Sequence, residues 1–193
     1  MADEILTPER ILAAAEDVLR RFGPAKATVV DVARALGVSH GSVYRHFPSK
    51  AALRDAVVER WLVRMVSPLA AVVDEDAPAA ERLRRWLETL IAAKRRRAAE
   101  ESELFATYVV LFAESSHAIG EHLGLLAEQI ERIIADGVAR GEFAPTDPAT
   151  TARAVFDATT RFHNPIHAAE WSRPDVDDAF DRVWSLILNG LRA

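Results

Sequence analysis

The sequence predicts an all-α protein. Apolar residues recur three and four positions apart along most of the 193 residues, which is the spacing of one helix face. No segment of useful length alternates apolar and polar residues as a half-buried strand does. The chain has only eight glycines and nine prolines, which argues against long loops. We therefore expect about nine helices.

The first helix begins after Thr7, because Pro8 suits the first helical position, where its missing N–H is no loss. Apolar residues recur on one face over residues 11–22. We expect Gly23 and Pro24 to end this helix.

Two short helices joined at a glycine follow in the segment TVVDVARALGVSHGSVYRHFPSK. Thr28 suits the N-cap of the first, whose apolar residues share one face. Gly37 provides the left-handed backbone that ends a helix without a Cβ clash. Ser39 caps the second helix, which we expect to reach about Phe47 because Pro48 cannot continue it.

This pattern is that of a helix-turn-helix, which lays its second helix in the DNA major groove with its N-terminal residues towards the base edges. His40, Ser42 and Arg45 are the candidates for reading bases, and arginine is the best-suited donor to guanine. Other polar residues of the segment suit phosphates. The predicted DNA-binding residues are Thr28, Ser39, His40, Gly41, Ser42, Tyr44, Arg45, His46 and Lys50.

The segment GVSHGSVYRHFPSK resembles the signature of the TetR family of transcriptional regulators. The flanking segments TPERILAAAEDVLRRFG and AALRDAVVERWLVRM also resemble that family, so the resemblance covers residues 7–65. It implies a homodimeric repressor or activator of a double-stranded DNA operator, whose C-terminal domain binds a small-molecule effector that weakens DNA binding. Of the two roles, the resemblance favours repression.

We predict two domains. Residues 1–50 form the helix-turn-helix DNA-binding domain, and residues 51–193 form the ligand-binding and dimerisation domain. Periodicity and breakers predict the remaining helices at about 49–73, where the helix bridges the two domains, and at about 79–97, 100–116, 120–140, from 147 onwards through Phe162, and 175–191.

Charge is distributed unevenly along the chain. The formal net charge is −5. Residues 1–60 hold nine basic and eight acidic side chains, and the remainder holds 15 and 21. The excess acidity therefore lies outside the proposed DNA-binding segment. It does not argue against DNA binding, because affinity for phosphate depends on the cations near the contact and not on the net charge.

The last predicted helix is the best candidate for a subunit interface. It has a broad apolar stripe, and residues 152–159 offer a matching face, so two copies could form a four-helix bundle. The alternative is a core helix within one chain, which the stripe does not separate from an interface. The predicted interface residues are Val155, Phe156, Phe180, Val183, Trp184, Ile187, Leu188 and Leu191.

A ligand pocket is expected among the C-terminal helices, with apolar walls and a few polar anchors. The alternative for each aromatic residue is plain core. The anchors come from the segment RFHNPIH, where the proline ends or kinks a helix. The predicted ligand-binding residues are Trp86, Leu90, Phe105, Tyr108, Phe112, Arg161, Phe162, His163 and His167.

The histidines raise a weaker hypothesis of metal binding. His163 and His167 are four residues apart, a spacing that lets two imidazoles share a metal on one helix face. Other residues could complete such a site, namely His117 and His122 with Asp157 or Glu114. The alternative, solvated or hydrogen-bonded histidines, is favoured, and we expect neither a metal nor a cofactor.

The cationic run at residues 94–97 could be a second DNA contact. Acidic residues follow at Glu100, Glu101 and Glu103, and two of them would form i,i+4 pairs with the arginines. We expect a solvated helix end instead.

An enzyme and a helical protein-interaction module are the rival classes of function. The chain has no P-loop, no GxGxxG after a strand, no GxSxG and no HExxH. It has no cysteine, which excludes disulfides and a cysteine nucleophile. No apolar stretch approaches a membrane span, and the N-terminus lacks a signal-peptide core. We expect a non-enzymatic cytoplasmic protein with no membrane association.

Overall fold

The computed structural model describes residues 5–100, 105, 109–110 and 116–192, with the side chains of residues 65 and 116–119 excepted. Within these ranges the chain is helical and has no strand. The described helices are α1 (Pro8–Lys26), α2 (Val29–Leu36), α3 (His40–Tyr44), α4 (Lys50–Val73), α5 (Ala79–Glu100), α6 (Ser116–Ala139), α7 (Pro148–Ala158), α8 (Thr160–His163), the 3-10 helix η1 (Pro165–Glu170) and α9 (Val176–Leu191). The predicted all-α class is confirmed.

The chain divides into two compact units. The N-terminal unit comprises residues 1–62 and 101–119, and the C-terminal unit comprises residues 63–100 and 120–193. The predicted helix at 100–116 falls mostly outside the described residues, although Phe105, Val109 and Val110 are helical. Helix α5 continues to Glu100, three residues beyond its predicted end.

Helix α1 begins as predicted, with Thr7 as N-cap accepting a hydrogen bond from the Arg10 backbone N–H at 3.4 Å. The regular helix breaks at Gly23, where φ is 71° and ψ is 168°. Pro24 then begins a separate short turn that runs to Lys26. The glycine therefore ends the first regular stretch of α1 where the sequence predicted, and the chain kinks there before the last turn.

Helices α2 and α3 confirm the predicted caps. Thr28 and Asp31 form a capping box at the start of α2, and Gly37 ends α2 with a left-handed φ of 68°. Ser39 caps α3 by accepting from the Ser42 backbone N–H at 3.2 Å. Helix α3 ends at Tyr44, earlier than predicted. Pro48 disfavours helical backbone at the residue before it, so the last turn loosens before it reaches the proline.

The core of the N-terminal unit joins its short helices. Helix α1 packs on α2, and α2 packs on α3. Ile11 and Val43 are fully buried in this core. Arg60, on α4, donates from Nη1 to the Glu9 carbonyl at 2.9 Å and lies 3.5 Å from Glu16 Oε1, so it ties α4 to α1.

The C-terminal unit is built on the apolar faces of α5 and α6. Leu83, Trp86, Leu87 and Leu90 on α5 are fully buried, as are Leu126, Ile130, Ile133 and Ile134 on α6. Gly137 is required by close packing, because a Cβ there would overlap the ring of Phe143 and lie 2.8 Å from the Ala79 Cβ. The buried Arg82 forms an ion pair with Asp136 that links α5 to α6.

The segment after Asp147 is not one helix, contrary to our prediction. Asp147 caps α7 as expected, but α7 ends at Ala158 and the four-residue α8 follows. The hydroxyl of Thr159 donates to the carbonyls of Val155 and Phe156, at 2.9 and 3.1 Å. Such side-chain bonds compete with the helix ladder and explain the break.

Candidate nucleic-acid interface and buried basic cluster

Helix α3 presents one polar face to solvent and one residue to the core. Val43 is fully buried, while His40, Gly41 and Arg45 are exposed and Tyr44 keeps 41% of its surface accessible. The His40 and Tyr44 rings meet edge to face, with centroids 6.3 Å apart. The structure therefore gathers the predicted base-reading residues on one accessible surface.

Short hydrogen bonds hold the polar side chains of α3 in place. The hydroxyls of Ser39 and Ser42 lie 2.9 Å apart. Ser42 Oγ also accepts from Arg45 Nη2 at 3.0 Å. A guanidinium has five N–H donors in a planar fork, so this one bond orients Arg45 and leaves donors for a partner.

Charge around α3 favours a polyanion. Residues 28–50 contain a single carboxylate, Asp31, against Arg34, Arg45 and Lys50. The Thr28 hydroxyl donates to Asp31 Oδ2 at 2.6 Å and Arg34 donates to Oδ1 at 2.9 Å. The hydrogen bond from Thr28 is the main cause that holds the pKa of Asp31 below its usual value. The one negative charge is thus committed to the α2 capping box.

The remaining predicted DNA-binding residues have varied settings. His46 and Lys50 are exposed, and Lys50 is the first residue of α4. Thr28 is exposed, but its hydroxyl already accepts from the Asp31 N–H at 3.2 Å and donates to that residue's carboxylate. Its cap role is therefore established, and a phosphate contact would have to share that hydroxyl.

Gly41 has space for a side chain. A Cβ at this position would meet nothing closer than Ser39 Oγ, at 3.8 Å, which is an ordinary van der Waals distance. Its backbone is helical, so no positive φ demands glycine. The packing of the unit does not account for a glycine here.

Comparison with known families decides the identity of this fold. Residues 11–57 match the family described as "Bacterial regulatory proteins, tetR family". Residues 79–184 match the "Tetracyclin repressor-like, C-terminal domain" family. This chain belongs to the TetR family. It is a DNA-binding transcriptional regulator, and the resemblance identified from the helix-turn-helix is confirmed.

Relatives of this TetR-family chain match over most of its length. The nucleoid occlusion factor SlmA of Vibrio atlanticus is 24% identical over 93% of this chain and 92% of its own. An uncharacterised helix-turn-helix regulator of Mycobacterium tuberculosis, Rv1255c, is 28% identical over 77% of this chain and 68% of its own. The Bacillus subtilis regulator FadR, in complex with stearoyl-CoA, superposes with a TM-score of 0.69 at 18% identity and covers 96% of this chain and 100% of its own.

The predicted ligand-binding residues are not all brought together. Trp86, Leu90 and Phe162 are buried within the C-terminal unit. Trp86 Nε1 donates to Gln129 Oε1 at 2.8 Å, and the Phe162 ring meets Phe180 edge to face at 5.4 Å. Phe105 is buried in a segment of the N-terminal unit, and Tyr108 and Phe112 lie outside the described residues.

Arg161 and His167 are engaged with a common carboxylate. Arg161 Nε donates to Glu170 Oε2 at 2.9 Å, and His167 Nδ1 lies 3.1 Å from Oε1. The hydrogen bond with His167, followed by that with Arg161, lowers the pKa of Glu170. Both predicted anchors are partly exposed; Arg161 ties α8 to η1, whereas His167 pairs within η1.

Three basic side chains lie buried together in the C-terminal unit. We call Lys94 on α5, His122 on α6 and His163 on α8 the basic cluster. Their exposed fractions are 3%, 3% and 2%. The charge of Lys94 acts on both histidines, and His122 acts on His163. The expectation of a solvated helix end at residues 94–97 was therefore wrong for Lys94.

The two histidines that the sequence offered as metal ligands, His163 and His167, do not share a helix face. Helix α8 ends at His163, and Asn164 caps the separate helix η1 that carries His167. His163 Nε2 lies 3.3 Å from Thr159 Oγ1, whereas His167 pairs with Glu170. Among the residues with described side chains, no group of three histidine, aspartate or glutamate residues is arranged to hold a metal.

Two surface grooves of the C-terminal unit are lined by residues outside the basic cluster. A groove of about 270 Å³ separates α5 from α9, and one of about 300 Å³ lies between the end of α5 and Trp171. Arg95 lines both and donates from Nη1 to Asp177 at 2.6 Å. Neither groove is lined by a predicted ligand-binding residue.

Most of the predicted interface residues face the core of their own chain. Val155, Phe156, Phe180, Trp184 and Leu191 are buried within the single chain. Val183, Ile187 and Leu188 are partly exposed, and Leu186, which the sequence analysis omitted, is 74% exposed. The apolar surface of α9 that is open to a partner therefore centres on Leu186.

No helix in the described part of the chain combines the length and apolar character needed to cross a bilayer.

Proposed function

We propose that this chain is a homodimeric repressor that binds a partly two-fold symmetric operator through α3 and is released by a small-molecule effector. The observation that carries the proposal is the outward surface of α3 with its C-cap residue Arg45, which offers hydrogen-bond donors and a guanidinium and contains no carboxylate. The proposed domains are residues 1–50 for DNA binding and residues 51–193 for ligand binding and dimerisation, a functional division that differs from the two compact units. Its site of action is the cytoplasm, and it uses no cofactor.

In this proposal α3 is the recognition helix. His40, Ser42 and Arg45 read base edges, with Arg45 donating to guanine O6 and N7. Tyr44, His46 and Lys50 contact phosphates, which position the protein without reading sequence. Ser39 and Thr28 chiefly cap the two helices, and Gly41 lets the DNA backbone approach α3 closely.

The second step is dimerisation. A helix-turn-helix dimer binds half-sites about 34 Å apart, and one copy alone gains little affinity. The surface of α9 around Leu186, with Val183 and Ile187 beside it, supplies an apolar strip for a two-fold contact.

The third step is effector control from the C-terminal unit. The structure of FadR of Bacillus subtilis contains stearoyl-CoA. For this chain we propose only that a small molecule binds in the C-terminal unit. The effector must bind the DNA-incompetent state more tightly than the competent one, and DNA then weakens effector binding to the same extent.

A gel-shift experiment with the DNA upstream of the chain's own gene tests the proposal. We expect sequence-specific retardation by the wild type and its loss in the Arg45→Ala, Tyr44→Phe double variant. Arg153→Ala, at an exposed position of α7, is the matched control and should bind like the wild type. Full retention of binding by the double variant would show that α3 is not the reading helix.

A further inference from the structure

We infer that the effector is an amphiphilic organic acid whose anionic group is bound by Lys94 and His122, beside the buried His163. This inference rests on the proposed function, because it assigns the chemical class of the effector that the C-terminal unit binds. Its evidence is the composition and burial of the basic cluster, which none of the comparisons assigns.

Lys94 is a cation held away from water. Leu90, one turn earlier on α5, is fully buried, and Lys94 continues its face with only 3% of its surface exposed. Burial lowers the pKa of Lys94 to about 8, so the ammonium is still mostly protonated at neutral pH. A buried charge is costly unless it is paired.

Two carboxylates on elements that contact α5 are committed elsewhere. Asp177 pairs with Arg95, and Glu170 pairs with Arg161 and His167. In the ranges that the structure describes, no carboxylate pairs with Lys94. Among the described residues, the cluster therefore has a positive charge and no negative charge to balance it.

His122 supplies the second observation. Both of its ring nitrogens are buried, and neither has a hydrogen-bond partner among the described residues. Unpaired buried polar atoms are uncommon in folded proteins, and each calls for an explanation such as a bound water, ion or ligand. Burial, with the charge of Lys94, lowers the pKa of His122 to about 3, so its neutral ring offers one N–H donor and one acceptor.

His163 lies beside Lys94 and His122, with its single N–H already engaged within the chain. Its Nε2 is 3.3 Å from the Thr159 hydroxyl, and its ring lies against Phe156 with centroids 4.6 Å apart. Burial is the main cause that lowers its pKa to about 3, so it is neutral as well. The Lys94 ammonium and the unpartnered N–H of His122 match a carboxylate or similar anion, which accepts charge-assisted hydrogen bonds.

The residues that flank the basic cluster in sequence indicate what the rest of the effector is like. Trp86 and Leu90 lie on the same helix as Lys94, and Phe162 precedes His163, all of them buried and apolar or aromatic. A cationic ligand would be repelled by Lys94. An organic acid with an aliphatic or aromatic body fits both the charge and the apolar setting.

Calorimetry and thermal unfolding of the full chain test this inference with benzoate, octanoate and dodecanoate, each compared with its primary amide. We expect at least one acid to bind tenfold or more tightly than its amide. Lys94→Met should abolish that preference, and Lys26→Met, at an exposed lysine of α1, should keep it. His122→Phe, a second variant, should weaken binding of the same acid, and circular dichroism checks that each variant is folded.

Two results would overturn the inference: no acid is preferred over its amide, or Lys94→Met binds the acid as the wild type does. A gel shift on the same samples separates this from the proposed function. If the DNA is retarded and no acid is preferred, the proposed function is supported and the inference of an acidic effector is wrong. If an acid binds through Lys94 without releasing DNA, the binding site is supported and the acid is not the effector.

Discussion

Arg45, the C-cap residue of α3, donates from Nη2 to Ser42 Oγ at 3.0 Å, one turn earlier on that helix. The bond fixes the plane of the guanidinium relative to the helix that carries it. Two-donor recognition of guanine depends on that plane, and a lysine at the same position provides only a point charge.

We therefore predict that Arg45→Lys weakens binding to the specific operator by roughly 1–3 kcal/mol, because a bidentate base contact is lost while the charge stays. Competition binding against random DNA measures the effect. Equal loss on both DNAs would contradict a base-reading role for Arg45.

Lys50→Met is the matched contrast for that experiment. If Lys50 contacts a phosphate, its loss should weaken binding to all DNA sequences by the same factor. The loss should also make the negative slope of log affinity against log salt concentration shallower by about one. A selective loss on the operator alone would reassign Lys50 to base reading.

Gly41→Ala should stabilise the protein and weaken DNA binding. The added methyl group meets only Ser39 Oγ at 3.8 Å, and alanine is preferred over glycine in helices by roughly 0.5–1 kcal/mol. The same methyl group would stand between α3 and a DNA backbone. Urea unfolding and gel shift measure the two effects.

Gly124→Ala on α6 is the control for this variant, because a Cβ there meets nothing within 4 Å. It should stabilise the chain similarly and leave DNA binding unchanged. If Gly41→Ala bound DNA normally, the glycine would need an explanation other than close approach of the duplex.

The caps and turns of the N-terminal unit could be predicted because they are local. Thr28, Gly37 and Ser39 act through hydrogen bonds and φ angles within a few residues of themselves. The C-terminal end of α3 was harder to predict. It depends on how far the backbone hydrogen bonds of the helix continue before the ring of Pro48 disfavours helical backbone at the preceding residue.

The basic cluster was missed because burial is set by tertiary packing. Lys94 begins a run of four cations, which favours an exposed helix end. One signal was available: Lys94 lies four residues after Leu90 and three after Ile91, and so continues the apolar face of α5. Similarly, the stripe on α9 could not reveal that most of it packs within its own chain.

Leu186→Arg should break the dimer without unfolding the chain. Leu186 is 74% exposed on α9, so an arginine is tolerated in the isolated chain but places like charges across a two-fold contact. Light scattering at micromolar concentration should show a dimer for the wild type and a monomer for the variant.

Leu125→Arg on α6 is the control, since Leu125 is also an exposed leucine, at 48%. It should remain dimeric. A Leu186→Arg variant that stays dimeric would place the interface away from this part of α9.

The buried histidines should make the fold sensitive to acid. His122 and His163 have a pKa of about 3 in the folded chain against 6.5 for the unfolded reference. Between these values the unfolded chain binds protons that the native chain does not, so stability falls as pH is lowered through 6.5 towards 3. From pH 7 to 5 the two histidines together should cost roughly 2–4 kcal/mol.

Urea unfolding at pH 7 and pH 5 measures this loss. His122→Phe should lose less stability than the wild type over that interval, since one of the two histidines is gone. His46→Gln, at an exposed position, should behave like the wild type. Equal losses in all three proteins would show that the buried histidines are not the cause.

Lys94→Met should raise the stability of the ligand-free chain at neutral pH, although it removes a residue assigned to ligand binding. Burial depresses the pKa of Lys94 from 10.5 to about 8, so below pH 8 the native chain carries an unfavourable buried charge. Methionine fills a similar volume without that charge, and a gain of at most about 3 kcal/mol follows from the size of the pKa shift.

The sign of this effect separates a ligand-binding lysine from a structural one. A lysine that stabilises the fold through an ion pair would make Lys94→Met less stable at pH 7. Because the depressed pKa penalises only the protonated form, wild-type stability should rise as pH increases from 8 to 10.5, and Lys94→Met should lack that rise. Unfolding curves at pH 7, 8.5 and 10 measure both, with Lys26→Met as the control that keeps wild-type behaviour.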